Sequence, residues 1–415
     1  MKFAFYCREL RFSGGRSVAL GFLNALKARN DDHEFIIYAP EDPGYHDLEA
    51  TNMHVHIRHI HGGIRQMLAQ NSLRTELKRD QPDVLFMMGN LGYRNSPCPQ
   101  AVLVHNPWIL YPETPAWKRL SPRDRCYYAI RRRLQSDSFA GCDAVLTQTP
   151  VMLDRLNRSL KIPYAKMALM PNSVTPVNIN EENDTEISRM MKSTSHSFRA
   201  LCLSRYFPHK NLSVLLQVAD ELRARNRKDI LLITTVNKEQ HPEASFFLKE
   251  LRAKKREEVM LNIGEVPMRH VPSCYHAADC MILPTLLESF TGNYPDAMQA
   301  GVPIVTSDLD FAHVVCADAA LYIDPMDAKS IAQALIKLAD TPELRSRLIS
   351  TGRERFTSLS VSWDAIARDT LHILERLALK QPLPNVMEHP WMKEWQAHYK
   401  ESDAKSGPVK IQESA

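Results

Sequence analysis

The sequence predicts an α/β protein built from two doubly wound, parallel-sheet domains, and three observations predict it. Short apolar runs at residues 84–88, 144–147, 230–236 and 303–307 alternate with amphipathic stretches such as residues 212–222. That alternation is the pattern of a parallel sheet covered by helices on both faces. A polar, acidic stretch at residues 176–197 separates two such blocks, and 415 residues with 44% apolar side chains suffice for two cores. The domains are expected at residues 1–178 and 198–378, with 179–197 as linker. Residues 379–415 carry Pro382, Pro384, Pro390, Trp391 and Trp395 and are expected to pack back on the first domain, with the chain after Lys400 disordered.

In the first block, Phe3-Ala-Phe-Tyr-Cys7 reads as a buried strand. Ser13-Gly14-Gly15 then introduces a helix with apolar residues at Val18, Ala19, Phe22, Leu23 and Leu26. Such a turn can face phosphate. It is not the spaced three-glycine fingerprint of dinucleotide sites, and ordinary strand-to-helix turns use Gly-Gly too. His54, His56, His59 and His61 alternate with Val55, Ile57 and Ile60, which fits a partly exposed strand better than a metal site, and the run is expected to lack an accompanying acid or cysteine partner nearby. Ala101-Val-Leu-Val-His105-Asn-Pro107 ends an apolar strand on a histidine, before a proline that stops the ladder. His105 there can touch a ligand or serve as an ordinary structural residue. Lys118, Arg119, Arg123, Arg125 and Arg131 to Arg133 crowd one segment with Tyr127, Tyr128, Ile130 and Leu134. This segment can lay a helix on anionic lipid headgroups, or it is simply a solvated face.

In the second block, Ala200-Leu-Cys-Leu-Ser-Arg205-Tyr-Phe-Pro-His-Lys210-Asn-Leu reads as a strand ending in one cation, with a second cation just before a helix. Arg205 offers a fork to phosphate oxygens, Lys210 a mobile charge, and the helix start free amides, together a diphosphate cradle. Glu288-Ser-Phe-Thr-Gly-Asn-Tyr-Pro-Asp296 follows an apparent strand at residues 280–284 and precedes a helix expected at 297–300. Carboxylates on a loop beyond a strand's carboxyl end can hydrogen-bond the hydroxyls of a sugar or ribose, and Gly292 permits close backbone approach. The bland reading makes Glu288 a turn cap and Asp296 a solvated first-turn acid. Asp308-Leu-Asp310 resembles a short manganese-binding acidic pattern, but it follows a buried strand and reads as a turn or cap.

The net charge of +4 argues against a dedicated nucleic-acid binder. Eight cysteines scattered without paired metal spacing point to reduced thiols in the cytoplasm. The chain begins directly in a strand and has no apolar run of spanning length, so it is expected to be neither secreted nor integral to a membrane.

Together these segments resemble the retaining glycosyltransferases of family 4, which share the two-domain GT-B fold, two Rossmann-like domains facing across a cleft. The resemblance covers residues 1–378 and is strongest over 202–363. It rests on Ser-Arg205-Tyr-Phe-Pro-His-Lys210-Asn, Gly264-Glu-Val266, Tyr275-His-Ala-Ala-Asp279, Pro284-Thr-Leu-Leu-Glu288-Ser-Phe, Pro295-Asp296-Ala-Met-Gln-Ala-Gly301-Val-Pro303 and Val361-Ser-Trp363. The resemblance implies that Arg205 and Lys210 bind a donor diphosphate. Glu288 would hold hexose hydroxyls, amides near Phe290, Thr291 and Gly292 would position sugar and phosphate, and Asp296 would hold the ribose. Gly14 and Gly15 would lie near the diphosphate, His105 would face the hexose, and the backbone around Glu265 and Val266 would receive the base. The first domain would bind the acceptor.

Three departures stand out: Asp296 where the family usually has Glu, Arg16-Ser17 after the Gly-Gly turn, and Asn237-Lys238 where many relatives have glycines. The chemistry so implied is hexose transfer from a nucleoside-diphosphate sugar, a substrate and not a cofactor, to a carbohydrate or lipid-linked acceptor, in the making of an envelope polysaccharide or glycolipid. No metal is required. Placement would be cytoplasmic, with peripheral contact at an anionic membrane's inner face. A catalytically silent sugar-nucleotide binder is the alternative, because the same motifs would bind without turning over. An NAD-dependent enzyme would need a spaced glycine fingerprint followed by an acid, which neither half shows.

Overall fold

The computed structural model describes residues 1–11, 13–29, 32–58, 70–174, 185–195 and 197–405. The chain forms two compact units, the first from Met1–Leu110, Ala129–Ser173 and Ser362–Ala415, the second from Tyr111–Tyr128 and Val174–Val361.

The first unit holds a parallel sheet of β1 (Lys2–Tyr6), β2 (Glu34–Pro40), β3 (Met53–Arg58), β4 (Val84–Met87), β5 (Gln100–Val104), β6 (Ala144–Thr147) and β7 (Met167–Leu169), in the order β3-β2-β1-β4-β5-β6-β7. The central strands are buried on both faces, which is why they read as continuous apolar runs without alternation. Phe5 packs edge-on against Phe22 of the helix Ser13–Ala28 at 5.6 Å, and against Phe86 of β4 at 6.2 Å. The helix Trp363–Ala378 belongs to this unit, where residues 198–378 were expected to fold together. Gly21 explains the difference: the Trp363 ring lies so close that a Cβ at Gly21 would sit 2.4 Å from it. Val386, Met392 and Trp395 of the C-terminal segment are buried in the same unit. The last helix, Pro390–Lys405, continues past Lys400, where disordered chain was expected; residues 406–415 lie outside the described residues.

The second unit holds a parallel sheet of β8 (Phe198–Cys202), β9 (Ile230–Thr234), β10 (Met260–Asn262), β11 (Cys280–Leu283), β12 (Ile304–Ser307) and β13 (Ala320–Ile323), in the order β10-β9-β8-β11-β12-β13. The helices Val214–Ala224 and Ala328–Asp340 bury Leu215, Val218 and Leu222, and Ile331, Leu335 and Leu338. Part of the expected linker is folded here. Thr185 caps the helix Glu186–Lys192 by accepting from Ser188 N, its hydroxyl lies 3.0 Å from that of Ser273, and Met191 is buried. Residues 111–128, expected in the first domain, also group here: Thr114 Oγ1 donates to the Leu286 carbonyl at 2.8 Å and Tyr111 OH to Asp310 Oδ1 at 3.0 Å.

Both sheets are doubly wound. Strand order reverses between β1 and β4 in one and between β8 and β11 in the other, and in such sheets the crevice beyond the carboxyl ends at the reversal is where ligands bind.

Candidate functional site

In the second unit the reversal point gathers the charged residues that the sequence singled out. Beyond β8 the chain passes Arg205 and makes a single 3-10 turn, Pro208–Lys210, closed by Asn211 in the left-handed region at φ 56. Asparagine tolerates that conformation better than most residues. Beyond β11 the chain reaches Glu288. The two loops are tied together: Leu286 N donates to the His209 carbonyl at 2.7 Å, and Asn293 Nδ2 donates to the Leu203 carbonyl at 2.7 Å. Lys210 Nζ thereby meets Glu288 Oε1 in a direct, largely buried ion pair, with Lys210 16% and Glu288 10% exposed. Such a pair holds two charges ready but unsatisfied by water. Arg205 is half exposed and sits 3.8 Å from Glu265, a loose pair in solvent.

Asp296 lies on the first turn of the helix Asn293–Ala300, a correction to the loop position expected for it. Proline is tolerated in a helix's first turn, so Pro295 does not delay the start. Burial pushes the Asp296 carboxyl up to about 6. Gly292 precedes this helix with an ordinary φ of −63, so no left-handed turn demands glycine there; a Cβ would meet only Asp296, at 3.9 Å. Thr291 is buried, with its hydroxyl 3.4 Å from Asn293 N, and Phe290 is half-buried beside it. Gly264 does need its glycine, at φ +77, and it leads into exposed Glu265 and half-buried Val266 beyond β10.

The first unit carries the other candidates at the carboxyl ends of its strands. Gly14 and Gly15 form the first turn of the helix Ser13–Ala28; Gly14 has open space around it, whereas a Cβ on Gly15 would sit 3.2 Å from His105 Nε2. His105 follows β5, and burial together with the charge of Arg131 pushes its imidazole down to about 4. Glu9, beyond β1, went unremarked in the sequence. Burial raises its carboxyl to about 7 against the pull of Arg131, and its Oε2 would lie 3.2 Å from a Cβ on Gly89, beyond β4. Two polar residues directly after the buried strand at residues 3–7 were the available signal. Asn90 was also missed; it is left-handed at φ 65 and bonds His105.

The histidine run has acids beside it after all: His54 Nδ1 lies 3.7 Å from Glu49, just ahead of the strand, and the fold brings Asp80 to 3.7 Å from His56 Nε2. His59 and His61 lie outside the described residues, and no group of three or more His, Cys, Asp or Glu is placed for a metal among the described residues. Asp308 pairs with His313 at 2.6 Å and Asp310 opens a helix, the turn-and-cap arrangement. In the basic segment, Lys118 and Arg119 sit in a separate 3-10 turn, Pro115–Arg119, and the helix proper is Pro122–Phe139.

Two doubly wound units of parallel strands constitute the GT-B architecture. Residues 12–177 match the family described as Glycosyltransferase Family 4, and residues 184–355 match Glycosyl transferases group 1. The chain belongs to this glycosyltransferase family. It is 23% identical over 284 residues to the mannosylfructose-phosphate synthase of Agrobacterium fabrum, covering 65% of this chain and 60% of the relative. It is 28% identical over 178 residues to O-antigen chain mannosyltransferase B of Escherichia coli, covering 43% and 46%. The chain thus spans about half the length of these curated relatives. Anabaena HepE, solved with UDP and glucose, shares the fold at a TM-score of 0.67 and 13% identity, over 90% of this chain and 99% of that one.

Proposed function

We propose that the protein is a retaining glycosyltransferase that moves a hexose from a nucleoside-diphosphate sugar to the hydroxyl of a carbohydrate or lipid-linked acceptor. The observation that carries this reading is the Lys210–Glu288 pair at the β8/β11 reversal, with Arg205 on the same loop as Lys210 and Asp296 on the helix that follows Glu288. An arriving donor replaces the pair with two separate contacts. Lys210 turns to a phosphate oxygen, with Arg205 swinging from Glu265 to another, and Glu288 is freed to accept from hexose hydroxyls. Thr291 and the amides of residues 290–292 position sugar and phosphate, Asp296 accepts from the ribose, and the backbone at Val266 lies against the base. Within the first unit, His105, Gly14 and Gly15 are the proposed sugar and phosphate contacts, and that unit takes the acceptor.

In the step itself the bond from the anomeric carbon to the phosphate oxygen breaks, the bond to the acceptor oxygen forms on the same face, and the acceptor proton passes to the departing phosphate. Negative charge grows on the diphosphate, where fixed cations contribute most. The scheme uses no metal and no dedicated carboxylate base. The names of the relatives, a mannosyltransferase of O-antigen among them, support an envelope glycan as the product. The proposed placement is cytoplasmic. No helix among the described residues is long and apolar enough to cross a membrane, but the helix Pro122–Phe139 exposes Tyr127, Ile130 and Leu134, which suits peripheral contact with anionic lipid.

Thermal denaturation against UDP-, GDP-, ADP- and dTDP-sugars tests the reading, because a ligand bound only to the native state raises the melting point. A shift with one nucleotide family, lost in Glu288→Gln and Lys210→Ala, is expected. No shift with any donor would count against it.

A further inference from the structure

Asn90 determines which nitrogen of His105 carries the proton. Its Oδ1 accepts from two backbone amides, those of His105 and Asn106, each at 2.7 Å. These bonds settle the orientation of the amide, since the flipped form would press NH2 protons against two N–H donors. The atom 2.9 Å from His105 Nε2 is therefore Nδ2. An NH2 group can only donate, so Nε2 must accept, and the single proton of the neutral ring sits on Nδ1. A ring protonated on Nε2, or on both nitrogens, would set donor against donor. The depressed pKa of about 4 agrees with an uncharged ring. Gly15 closes in on the Nε2 edge of the ring, where a Cβ would sit 3.2 Å from Nε2 and press on it, and among the described residues Nδ1 is buried with no hydrogen-bond partner.

We propose that Asn90 is a positioning residue that holds His105 as its uncharged Nδ1–H tautomer, so that the imidazole offers a ligand oxygen a hydrogen-bond donor at Nδ1 and acts neither as base nor as cation at Nε2. The ligand half of this statement rests on the hexosyl-transfer reading; the tautomer does not.

Long-range proton–nitrogen NMR on histidine-labelled full-length protein, with His105→Gln to assign the signal, reads the tautomer directly. The wild type is expected to show a protonated Nδ1 and a pyridine-type Nε2 that does not titrate near neutrality. Asn90→Asp keeps a residue suited to the left-handed backbone but replaces the donor with an acceptor. The proton is then expected on Nε2, and ionisation should move up toward neutral pH. Asn90→Gly, which retains the backbone and removes the side chain, should lose the fixed tautomer. A wild-type proton on Nε2, or an unchanged signature in Asn90→Gly, would overturn the proposal even if Asn90→Asp failed to fold. A purely structural role for Asn90 would alter melting temperature without moving the proton. The donor panel above fails or succeeds independently of this measurement.

Discussion

Asp296→Asn should stabilise the protein and weaken its site at once. Burial raises the Asp296 carboxyl from 3.8 to about 6, so the folded chain holds this proton more tightly than the unfolded chain does. The sign follows: the charged form carries a penalty that begins as pH rises past the unfolded value and is complete above about 6. A rise of about two units corresponds to roughly 3 kcal/mol. Asparagine has the same shape without the charge and escapes that penalty, while it gives up about 0.3–1 kcal/mol of carboxylate interaction with the helix N-terminus. The net expectation is a gain of about 2 kcal/mol in mildly alkaline solution, fading as the pH falls through the folded value and gone once both forms of the wild type are protonated. Urea titrations of wild type and variant across that range measure the difference, read at the transition that the substitution moves. A variant no more stable than wild type in alkaline solution, with a parallel pH profile, would refute the reasoning. Retaining a costly carboxylate where a neutral residue would fit is the trade expected of a binding residue.

Arg205→Ala and Lys210→Ala should separate stability from turnover. The exposed Arg205–Glu265 pair contributes about 0–1 kcal/mol, so Arg205→Ala should melt like wild type yet lose roughly 100-fold in turnover, measured as nucleoside-diphosphate release. Lys210→Ala leaves a buried carboxylate alone and should lose stability as well, by about 3–5 kcal/mol in denaturant titration, a cost Glu288→Gln should partly restore in the double variant. Gly21→Ala drives a methyl into the Trp363 ring, and calorimetry should find the protein about 1–3 kcal/mol less stable. Glu76→Ala strands Arg8, which is fully buried, bonded to Glu76 at 2.7 and 2.8 Å and placed over the rings of Tyr6 and Tyr38; a loss of about 3–5 kcal/mol is expected in denaturant titration.

Strands β1, β4, β5 and β6 of the first sheet and β8, β9, β11 and β12 of the second were legible because a parallel strand buried on both faces leaves a continuous apolar run, whereas β2, β7, β10 and β13 were not singled out. The charged residues of the second unit were legible too: Arg205, Lys210 and Glu288 fall directly after such runs, where a doubly wound sheet places its ligands. What escaped depended on contacts distant in sequence. The helix at 363–378 follows the second block in the chain, yet it packs in the first unit because Gly21 leaves room for Trp363. The helix Glu186–Lys192 looked like linker because its composition is polar; burial of Met191 and the Thr185–Ser273 contact hold it in place. Pro295 hid the start of the helix that carries Asp296. Glu9 and Asn90 have no motif, and only the adjacency of strand ends gives them meaning. Asp80, beside His56, likewise comes from another segment.

The most direct measurement is of product. The sugar nucleotide that stabilises the protein would be incubated with a panel of glycan and lipid-linked acceptors, and nucleoside-diphosphate release and the configuration of the new linkage would be followed by NMR. Transfer with retention of the anomeric configuration, reduced roughly 100-fold or more in Lys210→Ala, is the predicted result. Tight donor binding with no release across the whole panel, or an inverted linkage, would contradict it.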